Sequence, residues 1–152
     1  MIEALKALFE PPERETPEQR EHRQHLAAAA LLIETTRADF KQDKGEQAAL
    51  QGRLSATLGL SPAEVGKLVV QATRQVDQST SLYEFTRVIN DHYSAAQKLQ
   101  LIGDMWAVAY ADGHLDKHEE HLIRRISDLI YVPHTDYIRS KLQAQPGTDT
   151  SK

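Results

Sequence analysis

Residues 94–126 read SAAQKLQLIGDMWAVAYADGHLDKHEEHLIRRI, and this stretch decides the fold. It opens with Ser94-Ala95-Ala96-Gln97. A hydroxyl three residues ahead of a glutamine is a capping box, in which each side chain satisfies a backbone N–H that a helix start leaves open. Leu99, Leu101, Ile102, Met105, Trp106 and Val108 then leave little polar face, so the spacing predicts a largely buried helix. Gly113 follows as a stop, because glycine takes the left-handed conformation without steric cost. Asp116-Lys117-His118-Glu119 reopens the chain as a second helix, with aspartate as the cap and glutamate as its partner.

The same grammar extends in both directions. Thr16-Pro17-Glu18-Gln19 and Ser61-Pro62-Ala63-Glu64 add proline at the first helical position, where its missing N–H costs nothing. Ser81-Leu82-Tyr83-Glu84 and Asp43-Lys44-Gly45-Glu46 repeat the box without proline. Val65, Leu68, Val69, Ala72 and Val76 form one helical stripe, and Leu26 to Ile33 reads as a second buried helix. Sustained period-2 alternation is missing, and so are the strands it would signal. The expected fold is all-α: a compact single domain over residues 1–144 of about seven to eight helices, two of them central. Residues 1–9, with Ile2, Leu5, Leu8 and Phe9 on one side, form a short amphipathic helix expected to dock on the body, and residues 145–152 a flexible tail.

The chain also matches itself at an offset of 73 residues. Ala38-Asp39 falls on Ala111-Asp112, Asp43-Lys44 on Asp116-Lys117, Glu46 on Glu119 and Leu50 on Ile123. Leu26, Ala29, Leu32 and Ile33 fall on Leu99, Ile102, Met105 and Trp106. The expectation is an internal duplication, with one copy near residues 21–77, the other near 94–144, and pseudo-two-fold symmetry between them.

Composition excludes several functions. Eighteen basic against 22 acidic residues give a net charge of −4, and aromatic residues make up 6% of the chain, so no basic or stacking surface for nucleic acid is expected. The absence of cysteine excludes disulfides, thiolate metal sites and cysteine nucleophiles, and fits a reducing compartment. The longest apolar run, Leu26 to Ile33, is far short of the roughly 20 residues that span a membrane. The opening MIEALKALFEPPERE has neither the basic start nor the apolar run of a signal peptide.

The chemistry-bearing feature is a set of acids spaced i, i+4, i+7 in each copy: Asp112, Asp116 and Glu119, and Asp39, Asp43 and Glu46. Converging carboxylates are hard oxygen ligands suited to Ca²⁺, Mn²⁺ or Mg²⁺. The same spacing also serves helix capping, which occupies Asp116 and Glu119 without any ion. The loop is too short for an EF-hand. His114, His118 and His121 surround the second loop and raise Zn²⁺ as a lesser option, but HEEH is not the HExxH of zinc hydrolases, and surface histidines are the simpler reading, as for His22 and His25. Arg124-Arg125 reads as a solvated face and Trp106 as core. No phosphate loop or ordered nucleophile–base arrangement marks an enzyme.

AYADGHLDKHEEHLIRRI at residues 109–126, LAAAALLIETTRAD at 26–39 and SLYEFTRVINDHYSAAQKLQLIGDMW at 81–106 resemble the TerB-like, tellurite-resistance B superfamily, over about Leu26 to Ala144. The resemblance implies a duplicated all-α fold and a bacterial cytoplasmic protein linked to stress or tellurite resistance. It further implies divalent-cation binding through the acids named above, and protein partners at the inner face of the cytoplasmic membrane. One departure stands out: Phe40 replaces the glycine the family carries after Ala-Asp, which puts convergence of the first acid set in doubt. The expected function is a non-enzymatic stress-response module that binds a divalent cation through an acidic inter-helix loop. The alternative is a structural protein–protein interaction module whose acids are helix caps and a docking patch.

Overall fold

The structure, a computed structural model, describes residues 15–38, 44–111 and 113–145. Seven α-helices are seen among the described residues: α1 (Pro17–Arg37), α2 (Lys44–Leu58), α3 (Pro62–Gln78), α4 (Tyr83–His92), α5 (Ala95–Ala109), α6 (Lys117–Leu129) and α7 (His134–Ala144). The short segment at residues 1–9 and most of the expected tail lie outside the described residues.

Four of the expected helix starts form as capping boxes. At α1, Gln19 N donates to Thr16 Oγ1 at 3.1 Å and Thr16 N to Gln19 Oε1 at 2.9 Å. Ser61 with Glu64 opens α3, Ser94 with Gln97 opens α5, and Asp116 with Glu119 opens α6. The box expected at Ser81 does not form. The residue at the cap of α4 is Leu82, without a side-chain bond, because the Glu84 carboxylate accepts from the Ser79 hydroxyl one turn upstream. Asp43, the expected cap of α2, lies outside the described residues.

Burial follows the sequence pattern. Every residue from Leu26 to Ile33 on α1 is buried, so this stretch of the helix is enclosed on all sides. On α5, Leu101, Ile102, Met105, Trp106, Val108 and Ala109 are buried, while Leu99 is 37% exposed. Leu99 turns instead toward an open cleft between α5 and α7, beside Ala96, Gly103 and Ala107, side chains too small to close it.

The helices pack in matched pairs. α1 packs on α3 and α5 on α7; α1 on α2 and α5 on α6; α2 on α3 and α6 on α7. Across the middle, α1 meets α5, α2 packs on α5, and α6 packs on α1. Exchanging the first three helices with the last three maps these pairs onto one another, with α1–α5 mapping onto itself. α4 stands outside the exchange and packs on α1.

Candidate functional site

The turn between α5 and α6 carries the second acid set. α5 ends at Ala109, Gly113 N donates to Tyr110 O at 2.8 Å, and Gly113 takes φ +87°, the left-handed region expected of it. Asp116 then caps α6: its Oδ1 accepts from His118 N at 2.7 Å, and Glu119 Oε1 accepts from Asp116 N at 3.3 Å. Glu119 is only 1% exposed. Acids at a helix start also meet the positive end of the helix dipole, which favours carboxylates there. Glu120, next in the turn, is ion-paired with Lys141 of α7.

Asp112, the third member of this set, lies outside the described residues, as do Asp39 and Asp43 of the first set. Glu46 is described in the first turn of α2 and, like Glu119, is 1% exposed. The structure thus brings Asp116 and Glu119 together within one helical turn. These are hard oxygen donors of the type Ca²⁺, Mn²⁺ or Mg²⁺ takes. Each also holds a backbone N–H that helix α6 needs held. Among the described residues, no group of three or more His, Cys, Asp or Glu side chains is placed to hold a metal ion.

The histidines around the turn, His114, His118 and His121, are exposed. His22 is exposed and its Nε2 lies 3.0 Å from Gln71 Oε1. His25 departs from the surface reading. Its side chain is 14% exposed, and burial pushes its imidazole below the ordinary range, partly offset by Glu21 one turn back.

Two polar networks were not legible in the sequence. Asp104, 2% exposed on α5, accepts from Arg53 Nε at 2.9 Å, Thr57 Oγ1 at 2.8 Å and Gln100 Nε2 at 3.0 Å. This ties α2 to α5. Nearby Tyr93 is half-buried, and that desolvation, with the Asp104 charge adding to it, pushes the phenol up to about 12. At the start of α1, Arg23 Nε donates to Glu15 Oε1 at 2.8 Å, and its Nη2 lies 3.2 Å from His92 Nε2. The Arg23 guanidinium bonded to Glu15 holds that carboxyl below its ordinary range. Asp104 had one signal, a lone carboxylate inside an apolar helix; Arg23 had none.

No helix among the described residues is long and apolar enough to cross a membrane. No curated protein and no solved structure matches the chain. The family model for tellurite resistance protein TerB matches residues 25–142, a span that covers α2 to α6 and the larger part of α1 and α7, and the chain belongs to the TerB family.

Proposed function

We propose that this chain is a non-enzymatic, stress-response member of the tellurite-resistance-associated family that works as a protein–protein interaction module in the bacterial cytoplasm, with partners at the inner face of the membrane. The observation that carries this reading is the capping box at α6, where Asp116 and Glu119 each bind a backbone N–H of the helix start. The distinctive acids then hold a turn in shape and leave recognition to the surface around it. The reading also treats the two halves as copies of one unit, which the exchange of packing pairs supports.

A second reading has its own observation. Glu119 is buried in the first turn of α6, where Asp116 stands and which Asp112 precedes by a few residues. A divalent cation there would offset the repulsion of closely placed carboxylates, with Asp112, Asp116 and Glu119 holding it, and Asp39, Asp43 and Glu46 as the counterpart set.

Thermal unfolding of the chelator-stripped protein, with and without millimolar Ca²⁺, Mn²⁺, Mg²⁺ or Zn²⁺, separates the two. Under the interaction reading no ion raises the midpoint, and Asp116→Ala costs about 1 kcal/mol in every condition. Under the cation reading one ion at about 100 times its Kd adds about 2.7 kcal/mol, and Asp112→Asn removes the gain.

A further inference from the structure

We infer that the outer face of α6 and the turn after it form a docking surface for an acidic segment of a partner protein, with Tyr131 as the aromatic anchor and Arg124 and Arg125 as the charge contacts. The inference rests on the interaction reading and gives that partner a chemistry.

Three observations converge on this surface. The first is Tyr131, which takes φ +64° and is the one non-glycine residue with positive φ among the described residues. It sits just past α6 in a Schellman turn: Val132 N donates to Ser127 O at 2.9 Å and Tyr131 N to Asp128 O at 3.2 Å. A tyrosine is strained in this left-handed conformation, which glycine adopts without a steric clash. Its ring does not recover this by burial, being 77% exposed. Strain held at an exposed aromatic points to use of the side chain by something outside the fold.

The second is charge. Arg23, Arg37, Arg53 and Arg87 each face a carboxylate within 4.0 Å. Arg124 and Arg125 are exposed and form no ion pair with any described residue. Lys98 extends the same sign, its Nζ 5.8 Å from the centre of the Tyr131 ring. On a chain of net charge −4, the exposed Arg124–Arg125 pair on α6 and Lys98 beside the Tyr131 ring are local positive charges against the overall sign.

The third is shape. His121, Arg124, Arg125, Asp128 and Leu129 line a cleft of about 390 Å³, and Leu129 is 38% exposed at its edge. A peptide satisfies every group there. Its carboxylates meet the arginines, its backbone N–H groups meet Asp128, and an apolar residue meets Leu129 and Tyr131. An anionic membrane would repel Asp128 and the acidic chain as a whole.

The test is fluorescence anisotropy of the full chain with labelled peptides of glutamate and aspartate carrying a leucine–phenylalanine pair at varied spacing. Their glutamine–asparagine counterparts and anionic phosphatidylglycerol vesicles serve as comparisons. At least one acidic peptide should bind about tenfold or more tightly than its neutral counterpart. Arg124→Glu with Arg125→Glu should weaken it by at least about tenfold, and so should Tyr131→Gly. Tyr131→Gly at the same time raises the unfolding midpoint, which separates recognition from damage to the fold. Peptide binding that is absent, or unchanged in R124E/R125E, overturns the proposal, and vesicle binding lost in R124E/R125E without peptide binding overturns it in favour of lipid. Should wild type and R124E/R125E retain the same proteins from a cell extract, this surface fails while the interaction reading stands. If wild type retains none and binds no peptide, both fail.

Discussion

Helices α2 and α6 are built alike and finished differently. Each carries a glutamate at 1% exposure in its first turn, Glu46 and Glu119, and a fully buried aliphatic four residues on, Leu50 and Ile123. Each ends in a turn closed by a bond from the second residue past the cap to a serine carbonyl: Leu60 N to Ser55 O at 3.3 Å, and Val132 N to Ser127 O at 2.9 Å. Leu60 and Val132 then pack on the core. The residue between differs. Gly59 takes φ +68° at the end of α2, whereas Tyr131 takes φ +64° at the end of α6. The serines differ too: Ser55 Oγ donates to Leu60 O at 2.6 Å, while Ser127 Oγ is buried without a partner among the described residues. Where the two helices agree, the cause is packing. Where they part, α2 has the relaxed solution and α6 keeps a strained, exposed ring.

The largest expected effect tests the agreement. Leu50→Ala and Ile123→Ala should each cost about 3 kcal/mol in urea unfolding, since both sites are sealed. A loss below about 1 kcal/mol at either would break the match between the helices. The next effect tests the contrast. A Cβ added at Gly59 meets nothing within 4 Å, so Gly59→Tyr chiefly tests backbone strain and should cost about 1–2 kcal/mol. Tyr131→Gly should gain somewhat less, about 0.5–1 kcal/mol, because glycine gives back part of the relief as unfolded-state entropy. Equal and negligible changes in both would remove the idea that Tyr131 is held against its preference.

The smallest effect compares His25 of α1 with Lys98 of α5, 73 residues apart. Burial pushes the His25 imidazole below its unfolded value of about 6.5. The unfolded chain therefore binds the proton more readily. Stability is intact above about pH 6.5 and is lost as pH falls through the lowered folded value. His25→Gln should flatten that part of the profile measured by thermal unfolding, and Lys98→Gln should leave it unchanged. An unchanged slope in His25→Gln would assign the pH dependence elsewhere.

The helix starts were legible because a cap is local: Thr16, Ser61, Ser94 and Asp116 each carry their partner three residues on. The buried faces of α1 and α5 were legible for the same reason, as unbroken apolar runs. Ser81 misled because the Glu84 carboxylate, which the box would set on the Ser81 backbone N–H, accepts instead from the Ser79 hydroxyl, a contact fixed by the turn. Contacts between distant positions left no local trace. Arg53 and Asp104 are 51 residues apart, Arg23 and His92 69. The turn at Tyr131 was hidden because Ile130-Tyr131-Val132-Pro133 carries neither the glycine nor the asparagine that usually marks a left-handed residue. Of the acids, Asp116 and Glu119 showed in the sequence both as caps and as ligands, since the two duties ask for the same residues at the same spacing.

The crossing of α2 onto α5 and of α6 onto α1 bears on how the molecule opens. Neither half covers its own central helix; each borrows a wall from the other, and Arg53 with Asp104 bolts one of those walls in place. A half that came away would strip apolar surface from both. Among the described helices neither half is then expected to open alone, and hydrogen exchange at the amides in the middle of α1 and α5 should follow global unfolding.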